Sequence, residues 1–168
     1  MKGQTAIEYL MTYGWAILII LIVAGVLAYY GIFAPSGFLG PTARGFGQVQ
    51  VLNPWSLSAA NGAITLNLEN RVGGTIDVYN ITYTLTNGGS GTYSAAGPSA
   101  SLTCTSGCIT PGTDTNVTSG VKGVFLASPS GATNIGTTGS TYTATVTIYY
   151  YYSGATFSST GTISGTYS

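Results

Sequence analysis

Met1-Lys2-Gly3-Gln4-Thr5-Ala6-Ile7-Glu8-Tyr9-Leu10 opens the chain and leads into Ala16-Ile17-Leu18-Ile19-Ile20-Leu21-Ile22-Val23. Glu8 is the fifth residue counted from Gln4, and it faces a charge-free run that passes Phe33. A carboxylate at membrane depth costs roughly 2.5–3.5 kcal/mol on insertion scales. A cation that meets Glu8 offsets that cost. The opening therefore predicts a long apolar helix and an acid on it that needs a partner.

The hydrophobic segment is read as a helix over residues 4–34. About 30 residues at about 1.5 Å each reach on the order of 45 Å. A bilayer core needs only about 20 residues. The run 16–23 is apolar all round, so every face must meet lipid or protein. Pro35 opposes continuation of the helix. Gly14 and Gly25 each cost about 1 kcal/mol against Ala within a helix. Ala24 and Ala28 lie close to Gly25, at a spacing that permits close helix approach. Small residues are also common in membrane helices without any packing role.

Composition separates the rest. Only 5% of the residues are charged, the net charge is zero and histidine is absent. An ordinary soluble domain carries about 25% charged residues. With nothing basic to neutralise phosphates, nucleic acid is not expected as a partner. Without histidine the commonest general base and zinc ligand is missing. No catalytic residues, metal ligands or cofactors are expected, and the chain is not read as an enzyme. Pro35, Gly37, Gly40, Pro41, Gly45 and Gly47 mark a hinge over 35–47.

From residue 48 to residue 168 the pattern becomes that of strands, rich in Thr, Ser, Tyr, Val and Gly. Ile64, Leu66 and Leu68 alternate with polar residues and share one face. Residues 71–74 form a turn, and the chain returns over 75–86. Parity changes near Asn80, which predicts a bulge or a strand that switches sheets. Further strands are read at 121–127 and through Tyr142, Ala144, Val146, Ile148 and Tyr150. Ser153-Gly154 is a two-residue hairpin turn, and Phe157, Ile163 and Tyr167 lie on the last strand. About seven short strands predict a β-sandwich, immunoglobulin-like in kind. The fold class is α+β: a long apolar helix followed by an all-β head.

The first residues depart from a secretory signal peptide. The apolar run is too long, and an acid and two tyrosines precede its most apolar part. Lys2-Gly3 instead comes before the run. A cut after Gly3 retains the whole helix and frees an α-amino group on Gln4. That ammonium is a suitable partner for Glu8, since the two offset each other's desolvation in part. Positions four apart lie on one helix face. Between subunits, the same pair sets axial register. The competing reading makes Glu8 a solvated residue at a membrane edge, with Tyr9, Tyr13 and Trp15 as an interfacial aromatic belt.

The stretch Lys2-Gly3-Gln4-Thr5-Ala6-Ile7-Glu8-Tyr9-Leu10, followed by the apolar helix, resembles the type IV pilin family, in particular its archaeal branch with class III signal peptides. The resemblance covers about the first fifth of the chain. It implies a leader at residues 1–3, cleavage by a membrane-embedded prepilin peptidase between Gly3 and Gln4, and Glu8 as the assembly acid. Gln4 stands where bacterial members have phenylalanine. The implied protein is the major subunit of an archaeal pilus-like surface filament that serves adhesion, a helical homo-oligomer held in the membrane before its assembly machinery extracts it. The alternatives are a minor pilin or membrane-anchored surface-binding protein, and an archaellin of a motility filament.

Other candidates are local. Cys104 and Cys108 are read as one disulfide in an oxidising compartment. A redox loop or half a metal site is the alternative, but two thiols without histidine do not complete a zinc tetrahedron. Asn80-Ile81-Thr82 and Asn116-Val117-Thr118 match the N-glycosylation acceptor pattern. Glycans would hydrate a surface with so little charge. Glu69, Arg71 and Asp77 are placed near one hairpin end, as an exposed ion pair rather than a catalytic dyad. In the run Tyr149-Tyr150-Tyr151-Tyr152, alternation sends Tyr150 and Tyr152 to one face and the other two to the opposite face.

Overall fold

A computed structural model of the protein describes residues 4–29, 40–88, 91–95, 101–110 and 114–168. The chain divides into two compact units, Met1–Gly40 and Pro41–Ser168.

In the first unit, α1 (Gln4–Tyr29) runs for 26 residues. At about 1.5 Å per residue it is on the order of 39 Å long, more than the roughly 30 Å of a bilayer core. It is long and apolar enough to cross a membrane. Residues 30–34, expected to continue it, lie outside the described residues.

The second unit is built almost wholly from antiparallel strands. They are β1 (Thr42–Arg44), β2 (Val49–Leu57), β3 (Ile64–Asn70), β4 (Ile76–Asn87), β5 (Gly91–Ser94), β6 (Ser101–Ser106), β7 (Asn116–Val117), β8 (Lys122–Ser128), β9 (Thr141–Tyr152) and β10 (Ala155–Thr166). One sheet has the order β1-β10-β9-β4-β5, with β7 also paired to β4; the other has the order β2-β3-β8-β6. Ten strands among the described residues exceed the seven read from the pattern. The surplus comes from short segments, among them β1, β5 and β7, which are too brief to show a period.

Alternation explains the core. Along β3, Ile64, Leu66 and Leu68 are buried, and along β9 so are Tyr142, Ala144, Val146, Ile148 and Tyr150. Residues from both sheets join one hydrophobic cluster, with Phe125, Ile81, Tyr83 and Ile163 among its larger members. Ser153 and Gly154, both with positive φ (49° and 80°), form the β9–β10 turn. This is the backbone that a two-residue hairpin between twisted strands requires.

Three expectations change, and one pair of alternatives resolves. Residues 42–44 fall within the expected hinge but form edge strand β1, paired with Arg44 opposite Thr162 and Thr42 opposite Ser164. The turn at 71–74 does not close a hairpin: β3 pairs with β2 and β8, whereas β4 pairs with β5, β7 and β9. Of the two readings at Asn80, the bulge is the one found. The β4–β9 ladder shifts register between Val78 and Asn80, and β4 stays in one sheet. Tyr167 sits one residue beyond β10 and is buried, while Phe157 on β10 is 46% exposed.

Buried polar groups tie the sheets together. Asn70 is 1% exposed. Its Nδ2 donates to the carbonyls of Gly74 and Val117, each at 2.8 Å, and its Oδ1 accepts from Val72 N–H at 2.9 Å. It thus links the end of β3, the following turn and β7. Ser159 on β10 donates to Val49 O on β2 at 2.7 Å and accepts from Gly47 N–H at 2.9 Å. Tyr83 donates to Gly62 O at 2.5 Å. Gly161 has no room for a side chain: an added Cβ would lie 2.5 Å from the Phe46 ring and 2.6 Å from Arg44 O.

Candidate functional site

The first candidate site expected from the sequence lies on α1. No side chain described along it is fully buried, and Ile7, Met11, Trp15, Ile20 and Leu21 are all exposed. Glu8 is its one charged residue. Helical spacing puts Gln4 and Glu8, four residues apart, on one face. Thr12 Oγ1 donates to the backbone carbonyl of Glu8 at 2.8 Å. Tyr9 and Tyr13, also four apart, bring their ring centroids to 4.3 Å. Gly14 and Gly25 have open space where a Cβ would stand. A second helix can come close to the backbone at those two points. Gly3 lies outside the described residues, as does the Gly3–Gln4 junction. An apolar surface this extensive is disfavoured in water unless something covers it.

The head holds the remaining candidates. Cys104 on β6 and Cys108 just after it stand at disulfide distance, with Cα atoms 6.3 Å apart. Between them Gly107 has φ +77° and lies against the Lys122 carbonyl, where no other residue fits. Glu69 and Arg71 form an ion pair, Nη2 to Oε2 at 2.6 Å, and Arg71 is exposed. Asp77 is not part of it. It belongs to the other sheet, and its Oδ1 accepts from Thr115 Oγ1. The grouping of three expected from the sequence is therefore a pair and a separate acid, because the turn between them crosses from one sheet to the other.

Asn80 and Asn116 both reach the outer face of the larger sheet. Asn80 lies opposite Tyr149 in the ladder, and Asn116 lies opposite Asp77. Tyr149 and Tyr151 face outward, on either side of the buried Tyr150. Tyr79 joins them, its centroid 4.4 Å from that of Tyr151 and 6.2 Å from that of Tyr149. Sequence reasoning did not pair Tyr79 with this run, although the parity change near Asn80 was the signal that could have found it. Buried tyrosines line the other face. Burial pushes the Tyr142 hydroxyl up to about 12 and raises those of Tyr83, Tyr150 and Tyr167 as well.

Comparison with known protein families finds no match to this chain, and comparison with curated proteins finds none either.

Proposed function

We propose that this chain is a structural subunit, the major pilin, of an archaeal type IV pilus-like surface filament that serves adhesion. The observation that carries the reading is the pairing of one acid, four residues after Gln4, with an otherwise uncharged and uncovered helix attached to a folded β-head. In this reading residues 1–3 are a leader, and a prepilin peptidase cuts between Gly3 and Gln4. The helix holds the precursor in the membrane until the assembly machinery extracts it. The helices then bundle, and the α-amino group of Gln4 meets Glu8 of the same or a neighbouring subunit. The open backbone at Gly14 and Gly25 favours close bundling. The head is an immunoglobulin-like sandwich on the cell surface. Its two antiparallel sheets and shared core support that assignment.

Intact mass and N-terminal fragment analysis of sheared surface material tests this. The mature chain is expected to begin at Gln4 and to dominate the filaments. An N-terminal Gln that cyclises loses its positive charge, so Gln4 is expected to stay uncyclised, because Glu8 requires a cation. A mature chain that starts at Met1, or that is recovered only as isolated monomers, rules the filament out. Wholly cyclised Gln4 in intact filaments rules out the ion pair.

A further inference from the structure

Asn80 and its surroundings point to a second feature. In β4, Val78 pairs with Tyr150 and Asn80 pairs with Tyr149, so Tyr79 is the inserted residue of the bulge. Val78 and Ile81 are buried. Tyr79 and Asn80 therefore both face outward, two neighbours on a face that normally receives alternate residues. The bulge sets the acceptor Asn80 beside a floor of three rings, Tyr79, Tyr149 and Tyr151. Tyr79 and Tyr151 are 37% and 44% exposed. Ser94 Oγ donates to Asn80 Oδ1 at 3.2 Å, which makes Oδ1 the held end of the carboxamide. Thr82, the hydroxyl of the acceptor triplet, lies opposite Thr147 on β9. The rings are tilted to one another, Tyr79 by 32° to Tyr151 and by 44° to Tyr149, so they offer separate faces and not one plane. A single ring face edged by amides and hydroxyls fits a sugar ring, which has an apolar C–H face and a polar rim.

We propose that Asn80 carries an N-linked glycan whose first sugar stacks on Tyr149 and the adjoining Tyr79 and Tyr151. A transferase supplies the sugar from an activated, lipid-linked glycosyl phosphate. Asn80 Nδ2 forms the bond to the anomeric carbon, the bond from that carbon to the phosphate oxygen breaks, and one amide proton passes to a base of the transferase. Transfer precedes folding, since the Asn80 backbone is then committed to the ladder with β9. Asn116 supplies the contrast. Its cross-strand neighbour is Asp77, which stands between it and Tyr151. A sugar there meets a carboxylate before it meets a ring. The proposal needs the head to be exported but not assembled, so it stands or falls separately from the filament.

The test uses the full chain isolated from its own cells, with glycopeptide mass analysis and tetranitromethane nitration of tyrosine. The Asn80 peptide is expected to carry sugar mass, lost in both Asn80→Gln and Thr82→Ala. Tyr149, Tyr79 and Tyr151 are expected to nitrate roughly two- to tenfold faster in those variants, in line with one stacking contact, and at an unchanged rate in Asn116→Gln. Where a variant fails to accumulate, the occupied and unoccupied fractions of the wild-type chain give the same comparison. An unmodified Asn80 overturns the proposal. So do equal nitration rates with and without the sugar. Protection of the tyrosines in the unmodified head by free oligosaccharide also overturns it, and makes the floor a site for external sugar.

Discussion

Replacing Asn70 tests the linkage between the sheets most directly. Asn70→Ala removes three hydrogen bonds at once: those to Gly74 O, Val117 O and Val72 N–H. The bond to Val117 O is buried and the other two are partly buried. An orphaned buried group costs about 1–3 kcal/mol, and a lost bond that water can replace costs about 0.5–1.5 kcal/mol. Together the loss is about 3–4 kcal/mol, a large share of the roughly 5–15 kcal/mol that holds a typical domain. The melting temperature should fall by roughly 10–15 °C for a head of this size. The assay is thermal unfolding of the full chain in mild detergent, followed by the near-ultraviolet circular dichroism of its tyrosines. Asn67→Ala is the control. Asn67 lies on the same strand, but its buried Oδ1 has no hydrogen-bond partner among the described residues. Its removal should cost under about 1 kcal/mol. Asn70→Asp adds a sign. A carboxylate facing two carbonyl oxygens has its folded-state pKa raised, so the folded state binds more protons than the unfolded one. Stability then rises as pH falls through the folded pKa towards the ordinary carboxyl range. If Asn70→Ala melts with Asn67→Ala, or if acid weakens Asn70→Asp further, the linkage argument is wrong.

The remaining predictions concern other parts of the chain. Cys104→Ser with Cys108→Ser opens a short loop and should cost about 2 kcal/mol in the chain-entropy model, read as a lower denaturant midpoint that wild type matches once reduced. At high pH the head should weaken. Tyr142 keeps its proton in the folded state up to about 12, whereas an unfolded tyrosine loses it near 10. The unfolded state therefore binds fewer protons between those values, and stability is complete below about 10 and declines on the order of 2 kcal/mol by about 12 from this group alone. Parallel records of unfolding and phenolate absorbance check this, and a melting temperature that stays level across that window contradicts it. Glu8→Ala should still be cleaved and inserted, but filament yield should drop roughly tenfold or more, as expected when one partner of a buried pair is removed. Quantified sheared filaments give the answer, and normal yield refutes the pairing.

The long strands were legible because each carries its own period, and the helix because its apolar run is long and unbroken. Ile64, Leu66 and Leu68 announce a half-buried strand in any context, and Ser153-Gly154 announces its turn. The parity change near Asn80 announced an irregularity but not its kind, since a bulge and a change of sheet look alike in one dimension. The turn at 71–74 misled for the same reason. Its residues specify a reversal, and only long-range pairing to β8 and β9 decides that the reversal joins two sheets. Asn70 was invisible. It is a polar residue at the end of an alternating strand, where exposure is the natural expectation, and its partners Gly74 and Val117 are set by the fold. β1 escaped because three residues among glycines show no period, and it gains its strand conformation from the free edge of β10.

The two units meet opposite solvent requirements with opposite patterns. The head hides its apolar residues by alternation and leaves hydroxyls outside, so it needs little charge to stay hydrated. α1 has no polar face and hides nothing, so its surface must always be covered. In the proposed filament, moving it from lipid into a helix bundle exchanges one apolar environment for another, and the hydrophobic gain nearly cancels. Packing at Gly14 and Gly25 and the neutralisation of Glu8 then decide whether subunits leave the membrane. This balance separates two solvents. Salt at about 1 M shortens the screening length to about 3 Å and acts on exposed charges, so it should leave filaments intact. Detergent offers the helix the apolar surroundings it would otherwise find only in lipid or in other helices, and should release subunits with their heads still folded. Sedimentation after each treatment tells the two apart. Filaments that dissolve in salt but survive detergent would mean that contacts between heads, and not the helix, hold the subunits together.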